Sequence, residues 1–422
     1  MCKTVVVIGA GISGLSLGYY WKKKFPSDRL LIIEKNSQSG GVIGTLKTHK
    51  HQFDKGPKTL KVSTSKEFLD LVGELDLTGD LLYSSDSSKN RYLYYQKQII
   101  RLPTSLKDLL FSSLFRPMTL SLIKEVFVKK KDNSLETIGE FARRRFGNSI
   151  AQVLFEPFVR GIVGADMDKV SLKATFPKLA QIETEKGSII KSFFKKKEIP
   201  DKTLMTLKRG IYQIIEGLEQ KLENHLYKNE EVLKISSEGI VTTSKREISA
   251  DLIFCALPFH CLSQLLDLDD SFYQKEDCET LIGVSFAMEK KTSRYRGFGY
   301  LVPQIENEPI LGVIFDSEIF KKESSYDYYT VLMKNHSNMD HKDIAYKSLC
   351  THLQSRFEVA SSAVFHYDKA LFSYSLESLK KISELKKSLE ASHPFLKLCG
   401  HYLHPPGVNH CIKYCKSLVD EV

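Results

Sequence analysis

Apolar and polar positions repeat with two different periods along the chain, and each period predicts a different kind of element. A run of β-branched residues at 4–8 predicts a buried parallel strand. A helical stretch from 13 to about 24 follows, and 29–34 is a second buried run. Together these three segments predict a β-α-β unit of about thirty residues, so the chain begins with an α/β domain.

The rest of the chain mixes both periods. Strand-like patterns lie at 91–101, 232–248, 251–256 and 280–333. Helical patterns lie at 66–77, 104–209, 340–357 and 375–391, with a last helix from about 409. Mixed strands and a helical middle predict an α+β part beside the α/β unit.

A glycine-rich turn joins the first strand to the first helix. Gly9, Gly11 and Gly14 form a GxGxxG pattern, and Ile12 and Ser13 open the helix between them. This spacing allows a tight turn, a close approach of a diphosphate to the backbone, and tight packing of the helix on the strand. Glu34 ends the second strand 20 residues after Gly14. A carboxylate there accepts hydrogen bonds from ribose hydroxyls, so the pattern predicts a dinucleotide site.

Positive charge is concentrated in the middle of the chain. The formal net charge is +10, while residues 89–209 hold 25 Lys and Arg against 12 Asp and Glu. This excess predicts an anionic partner such as phospholipid headgroups or an acidic ligand. We expect no nucleic-acid partner, because the basic runs lack interleaved aromatic residues.

Cysteine usage and hydropathy indicate the compartment. The eight cysteines are scattered, which predicts reduced thiols and no metal site. We identify no signal peptide and no apolar run approaching 18 residues. We therefore expect a cytoplasmic protein, with any contact to the inner face of the plasma membrane being peripheral.

Segments after Glu34 resemble the FAD-dependent amine oxidase superfamily. They are Gly40-Gly41, Thr45 and the run from Phe53 to Pro57, then Val232 before a strand, and Gly400 followed by Gly407 and Val408 near the end. The resemblance implies non-covalent FAD, held by Gly9, Gly11, Ile12, Ser13, Gly14, Glu34, Lys35, Gly40, Gly41, Thr45, Gly56, Pro57, Val232, Gly400, Gly407, Val408 and Asn409. It also implies a Rossmann-like FAD domain with a mixed-sheet substrate domain, as in p-hydroxybenzoate hydroxylase, and a helical membrane-contact domain.

Within that superfamily the chain is similar to the protoporphyrinogen oxidase family. The segments that carry this similarity include 56–60, 90–94, 102–106, 156–161, 176–179 and 297–303. The resemblance implies oxidation of protoporphyrinogen IX for haem synthesis, with O2 as acceptor and H2O2 as product. It implies that Arg91 pairs with a propionate, that the carbonyl of Gly161 faces the pyrrole N–H groups, and that Leu301, Ile314 and Leu332 form apolar walls. No catalytic side chain is expected, because the flavin performs the chemistry.

The same resemblance implies three domains. The FAD-binding domain would comprise 1–62, 205–262 and 396–422, and the substrate-binding domain 63–88 and 263–395. The basic, helical domain would comprise 89–204, with Lys129–Lys131, Arg143–Arg145 and Lys195–Lys197 available to headgroups or to an acidic porphyrinogen.

Three other functions remain open from the sequence. Coproporphyrinogen III is an alternative substrate, because it carries four propionates and the middle of the chain has many cations. An amine oxidase would need a pair of aromatic residues in front of the flavin, where only Tyr402 is available. A binding protein of this fold would carry no flavin. The chain also departs from the family at Lys334-Asn335 and Tyr367.

Overall fold

The computed structural model describes residues 2–48, 50–103, 108, 114, 116–131, 135–194, 203–268, 272, 274, 277–289, 294–320, 324–335 and 339–422. The strands are β1 Thr4–Ile8, β2 Arg29–Ile33, β3 Gly44–Lys47, β4 Gln52–Lys55, β5 Leu60–Lys61, β6 Leu81–Tyr83, β7 Tyr92–Tyr95, β8 Gln98–Arg101, β9 Leu204–Leu207, β10 Leu226–Tyr227, β11 Val232–Ile235, β12 Ile240–Thr243, β13 Glu247–Ser249, β14 Leu252–Cys255, β15 Cys278–Glu289, β16 Gly299–Leu301, β17 Ile310–Phe315, β18 Tyr326–Lys334, β19 Val359–Phe372 and β20 Leu396–Leu398. The α-helices of four or more residues in the described part of the chain are α1 Ile12–Lys24, α2 Lys66–Glu74, α3 Thr119–Glu125, α4 Ile138–Phe146, α5 Glu156–Val163, α6 Leu172–Thr175, α7 Pro177–Lys186, α8 Ile189–Phe194, α9 Tyr212–Lys221, α10 Leu262–Leu265, α11 Asp316–Ile319, α12 His341–Leu353, α13 Leu376–Ser392 and α14 Val408–Asp420.

The N-terminal β-α-β unit forms the centre of a five-stranded parallel sheet with the order β10-β2-β1-β14-β20. Val5 and Val7 of β1 face α1, α9 and α14, whereas Val6 and Ile8 face the small sheet β11-β12-β13. Because both faces are covered, β1 is apolar at every position that is buried. The predicted Rossmann-like unit is confirmed.

A second, seven-stranded sheet has the order β19-β15-β18-β17-β16-β7-β8. Its strands are mostly antiparallel, so their side chains alternate between two faces. One face packs against α12 through Tyr300, Val313, Val331 and Val284. The opposite face carries the neighbours of these residues in sequence, including Leu301, Ile314 and Leu332.

Buried ion pairs connect the helices of the middle segment. The Arg145 side chain, 0 % exposed, contacts Glu125 and Glu183 at 2.6 Å each. Arg144 binds Glu136 at 2.7 Å and Glu183 at 2.9 Å. The prediction that Arg143–Arg145 face headgroups is therefore wrong for Arg144 and Arg145, because their charges are neutralised inside the fold. Lys195–Lys197 lie outside the described residues, as do 104–107, 109–113 and 115.

Strand pairing also corrects two predicted boundaries. The hairpin β7-β8 joins the seven-stranded sheet through β16, so it does not belong to the helical segment that was predicted to start at 89. Helix α2 lies in the segment 63–88, which was predicted to belong to the substrate-binding domain. It packs instead in the apolar cluster of α1 and α14, through Phe68, Leu71 and Val72. Within the part of the chain that is described, no helix is both long and apolar enough to span a membrane.

Candidate functional site

The glycine-rich turn has the geometry of an anion site. Gly9 has a positive φ of 95°, and its N–H donates to the Ile33 carbonyl at 2.8 Å. A Cβ on Gly14 would lie 1.9 Å from the Gly9 carbonyl oxygen, which no side chain could tolerate. A Cβ on Gly11 would instead meet no protein atom within 4 Å. Gly14 is therefore needed for the packing of α1, and Gly11 borders an open space.

The start of α1 leaves its backbone donors available. Gly11 is the N-cap residue and provides no side-chain hydrogen bond, and the first turn contains no acidic residue. Ile12 and Ser13, the first two residues of the helix, are buried. The N–H groups of the first turn have no partner within the helix, and the helix dipole favours an anion there. This end of α1 fits a diphosphate.

Glu34 is fixed beside the same turn. One carboxylate oxygen accepts from the Ala10 N–H at 2.9 Å, and the other accepts from the Asn36 backbone and side chain at 2.9 Å each. The residue is buried but keeps acceptor capacity, since two carboxylate oxygens offer about four sites. The Glu34 carbonyl accepts from Glu230 at 3.0 Å, which brings the segment before Val232 next to it. Lys35 is exposed at the end of β2.

The second glycine pair lies against the first. Gly40 forms a parallel bridge with Gly11, and its N–H donates to the Ala10 carbonyl at 2.8 Å. A Cβ on Gly41 would lie 3.8 Å from the Gly11 Cα. Gly40 and Gly41 therefore lie beside Gly11 of the glycine-rich turn.

The hairpin β3-β4 continues from the second glycine pair. The Thr45 hydroxyl donates to Asp54 at 3.1 Å across the hairpin. Gly56 and Pro57 follow β4, and a Cβ on Gly56 would lie 2.3 Å from the Val42 carbonyl oxygen. The hairpin thus carries the chain from the diphosphate site toward the seven-stranded sheet.

The C-terminal segment supplies a second uncapped helix. Gly400 follows β20, the edge strand beside β14. Gly407 has a φ of 137° and precedes α14 without a side-chain cap, and Val408 packs in the same apolar cluster as Ile12. The Asn409 side chain is used elsewhere, because it accepts from the Phe68 N–H and donates to Glu67, both at 2.8 Å. A contact of Asn409 with the cofactor would therefore involve its backbone.

Buried polar atoms without partners lie in the loop between Gly400 and Gly407. Among the described residues, His401 Nε2 and Tyr402 Oη are buried and lack a hydrogen-bond partner. Burial lowers the pKa of His401 to about 4, so its ring is neutral at pH 7. Such orphaned groups, together with two uncapped helix ends and glycines without room for Cβ atoms, fit a large polar cofactor such as the expected FAD.

The predicted apolar wall is one face of the seven-stranded sheet. Leu301 and Leu332 both stand in register with Gly312, and Ile314 stands beside Thr330. Gly161 lies in the last turn of α5, facing this wall, and a Cβ there would lie 2.8 Å from Leu301 Cδ2. The structure thus brings together the sheet and helix residues that the resemblance implied.

The Arg91 side chain packs on an aromatic ring beside the predicted wall. Its guanidinium lies 4.0 Å above the centre of the Phe298 ring and donates to the Ser88 carbonyl. Phe298 and Ile314 pack against the same small apolar cluster of Leu204, Ile319 and Phe320. No described acidic side chain forms an ion pair with Arg91, and burial lowers its pKa to about 10. A partly buried cation without an acidic partner is suited to a carboxylate from outside the chain.

Sequence reasoning missed a polar cluster on this wall. Lys58 Nζ lies 2.9 Å from Asp316 Oδ1 and donates to the Thr330 hydroxyl at 2.5 Å. Thr330 donates to Asp316 at 2.6 Å and lies 2.9 Å from the Ser285 hydroxyl. Asp316 follows directly after β17, as the first residue of α11, so strand alternation in the sequence does not identify it.

A cavity of about 170 Å³ lies elsewhere, between α6 and the C-terminal loop. It is lined by Lys173, Tyr374, Tyr402 and His404, among others. Pockets for drug-sized ligands are roughly 300–1,000 Å³, so this cavity is too small for a tetrapyrrole. It is separate from the predicted wall, because none of Arg91, Leu301, Ile314 and Leu332 lines it.

Comparisons with known proteins agree with this geometry. Residues 12–319 match the model of the family described as flavin-containing amine oxidoreductase. The chain is 25% identical to protoporphyrinogen oxidase of Dictyostelium discoideum over 100% of this chain and 99% of the relative. It is 22% identical to coproporphyrinogen III oxidase of Staphylococcus aureus, with the same coverage of both chains.

A solved structure is similar over the whole length. It is that of a protein from Exiguobacterium sp. 255-15, provisionally assigned as a protoporphyrinogen oxidase. The two structures superpose with a TM-score of 0.87 at 18% identity, and the match covers 100% of this chain and 98% of the other. A putrescine oxidase structure matches with a TM-score of 0.69 at 12% identity, covering 100% and 99%. At these identities the two matches show the fold alone.

Proposed function

Because the chain belongs to the family of flavin-containing amine oxidoreductases, we propose that it oxidises protoporphyrinogen IX to protoporphyrin IX. It is an FAD-dependent oxidoreductase, which excludes a flavin-free binding protein. In the proposed reaction the substrate loses six electrons in three two-electron rounds, and each round converts one O2 to H2O2. When bound, FAD supplies the two-electron acceptor, and the protein supplies binding, orientation and exclusion of water.

The observation that carries this proposal is the environment of Arg91. A partly buried guanidinium without an acidic partner in the described chain lies at the border of a wall made of Leu301, Ile314 and Leu332. A porphyrinogen combines a large apolar ring with propionate carboxylates. We infer that Arg91 binds one propionate while the ring lies along the wall.

Gly161 would orient the ring. In the last turn of an α-helix the carbonyl groups lack partners within the helix, and Gly161 has this position in α5. Its carbonyl oxygen can accept from pyrrole N–H groups and hold the macrocycle in one orientation. Because glycine has no side chain, the wall residue Leu301 packs directly against the helix backbone at this position.

The test is to mix the purified, yellow protein under air with protoporphyrinogen IX and, separately, with coproporphyrinogen III. Porphyrin fluorescence reports the oxidation, and a peroxide assay reports the acceptor. We expect faster porphyrin formation than in a protein-free control and one H2O2 for each two electrons removed. Absence of any acceleration with either substrate would reject the proposal.

One observation favours coproporphyrinogen III as the alternative substrate. Lys334 stands two residues after Leu332 at the end of β18, on the same face, and it is exposed. The described chain contains no ion pair of Lys334. A further cation at the edge of the wall would suit a substrate with more propionates. A higher kcat/KM with coproporphyrinogen III than with protoporphyrinogen IX would select this alternative.

The environment of Tyr402 argues against an amine oxidase. Tyr402 is 1% exposed, and its ring packs against Phe259 at 5.5 Å and Phe372 at 6.0 Å between centroids. An amine cage needs two aromatic rings that face each other across open space, whereas the Tyr402 ring packs against these two phenylalanine rings. We therefore do not propose amine oxidation.

We also propose peripheral membrane contact on the cytoplasmic side. Leu120 and Phe127 at α3 are 72% and 79% exposed, and Ile123 lies between them. Lys124 and the run Lys129–Lys131 are close by in sequence. Exposed apolar side chains flanked by lysines are suited to the surface of an anionic bilayer.

Co-sedimentation with vesicles tests this contact. We expect Leu120→Glu combined with Phe127→Glu to abolish most binding to phosphatidylglycerol vesicles, and high salt to weaken binding of the unchanged protein. Leu233→Glu is the matched control, because Leu233 is an exposed leucine on β11. Equal sedimentation of all three proteins would reject the contact.

A further inference from the structure

Lys58 connects the cofactor segment with the substrate wall. It follows Gly56 and Pro57, and the Gly56 N–H donates to the Tyr367 hydroxyl at 2.9 Å, which ties this segment to β19. The Lys58 ammonium then reaches Thr330 on β18, in the row beside Ile314. The segment 56–58 therefore places a cation between the proposed cofactor site and the seven-stranded sheet.

The cation is held in one position. Lys58 and Asp316 side chains are only 14% and 19% exposed. Thr330 accepts from Lys58 and donates to Asp316, so three groups share a closed set of hydrogen bonds. An ammonium has three N–H donors. Two of them are used in these contacts, and the described chain offers no partner for the third.

A buried ion pair contributes little to the net stability of a fold. The cost of removing two charges from water largely offsets their attraction, and apolar residues of similar volume are often as stable. The wall around this pair is apolar at Leu301, Ile314 and Leu332. The two charges in this wall are therefore available for a role other than stability.

The geometry points to Lys58 as a residue that tunes the charge environment of the bound flavin, with Asp316 and Thr330 as its positioning residues. Reduction by two electrons increases the negative charge on a flavin, and a fixed cation nearby favours the reduced state. Asp316 partly neutralises that cation. This inference rests on FAD binding and not on which porphyrinogen is the substrate.

The test is the midpoint potential of the bound flavin, measured by equilibration with a reference dye. We expect Lys58→Met to lower the ratio of reduced to oxidised flavin at least tenfold at a fixed solution potential. This corresponds to a decrease in the midpoint potential of about 30 mV for a two-electron couple. Asp316→Asn should change this ratio in the opposite direction, because it leaves Lys58 without its counter-charge. Lys58→Arg should stay close to the unchanged protein.

Lys381→Met provides the matched control. Lys381 forms an equally buried pair with Asp277 at 3.1 Å, on α13, and its loss should leave the potential unchanged. Flavin content reports whether each variant is folded and loaded. An unchanged potential in Lys58→Met, or changes of the same sign in Lys58→Met and Asp316→Asn, would overturn the inference. Failure of the protein to oxidise any porphyrinogen would leave this result unaffected.

Discussion

The proposed cofactor region and the proposed substrate wall use different kinds of chemical groups. At the diphosphate turn the important groups are backbone N–H groups and the space left by Gly9, Gly11 and Gly14. On the seven-stranded sheet the important groups are side chains, above all Arg91 and the pair of Lys58 with Asp316. Changes at the turn should therefore affect cofactor content, and changes on the wall should affect substrate kinetics or flavin potential.

The largest expected effect is at the turn itself. Gly14→Ala places a Cβ 1.9 Å from the Gly9 carbonyl oxygen, and backbone cannot move away cheaply. We expect this variant to lose nearly all bound FAD and much of its stability, as measured by flavin absorbance per protein and by thermal unfolding.

Gly11→Ala is the matched comparison at the same turn. Its Cβ meets no protein atom within 4 Å, so the protein without cofactor should unfold at an unchanged temperature. FAD should nevertheless bind more weakly, because the added methyl group occupies the open space above the turn. FAD affinity equal to that of the unchanged protein would show that the diphosphate does not lie there.

Arg91→Ala should have the next largest effect, and on the other region. Hydrogen bonds to charged groups contribute about 1.5–3 kcal/mol, so KM for a porphyrinogen should rise roughly 10- to 100-fold. FAD content should not change, since Arg91 contacts Ser88 and Phe298 and not the turn. Steady-state kinetics and flavin absorbance on the same preparation check both statements. An unchanged KM would remove Arg91 from the substrate site.

The smallest effect is expected where helix and wall touch. Gly161→Ala brings a Cβ to 2.8 Å from Leu301 Cδ2, and the leucine side chain can move at a cost of about 1–3 kcal/mol. We expect kcat/KM to fall roughly tenfold and the second change Leu301→Ala to restore part of it. Strictly additive effects of the two changes would show that the pair does not act together.

The proposed cofactor region can be read from the sequence more directly than the proposed wall, and the reason is physical. The roles proposed for Gly9, Gly11, Gly14 and Glu34 depend on local spacing, which is visible in a single stretch of sequence. Gly40 was placed by resemblance, and in the structure it forms a bridge with Gly11. The wall residues Leu301, Ile314 and Leu332 also came from resemblance, because periodicity alone identifies them only as residues of strands.

The missed features depend on contacts between distant segments. Strand β19 was not predicted, because most of its residues are half-exposed or polar and form no apolar run. Lys58 and Asp316 are 258 positions apart and meet only after the segments that follow β4 and β17 are placed. Arg144 and Arg145 looked like surface charges, because their acidic partners Glu136 and Glu183 are not adjacent to them in sequence.

The central claim is that this FAD protein takes electrons directly from a porphyrinogen. The most direct measurement is to mix the oxidised protein with protoporphyrinogen IX or coproporphyrinogen III without oxygen and to follow the flavin absorbance. We expect rapid bleaching of the flavin with at least one of them, and return of the yellow colour when air is admitted. Flavin that stays oxidised with both, in protein that retains its FAD, would show that neither porphyrinogen is its electron donor.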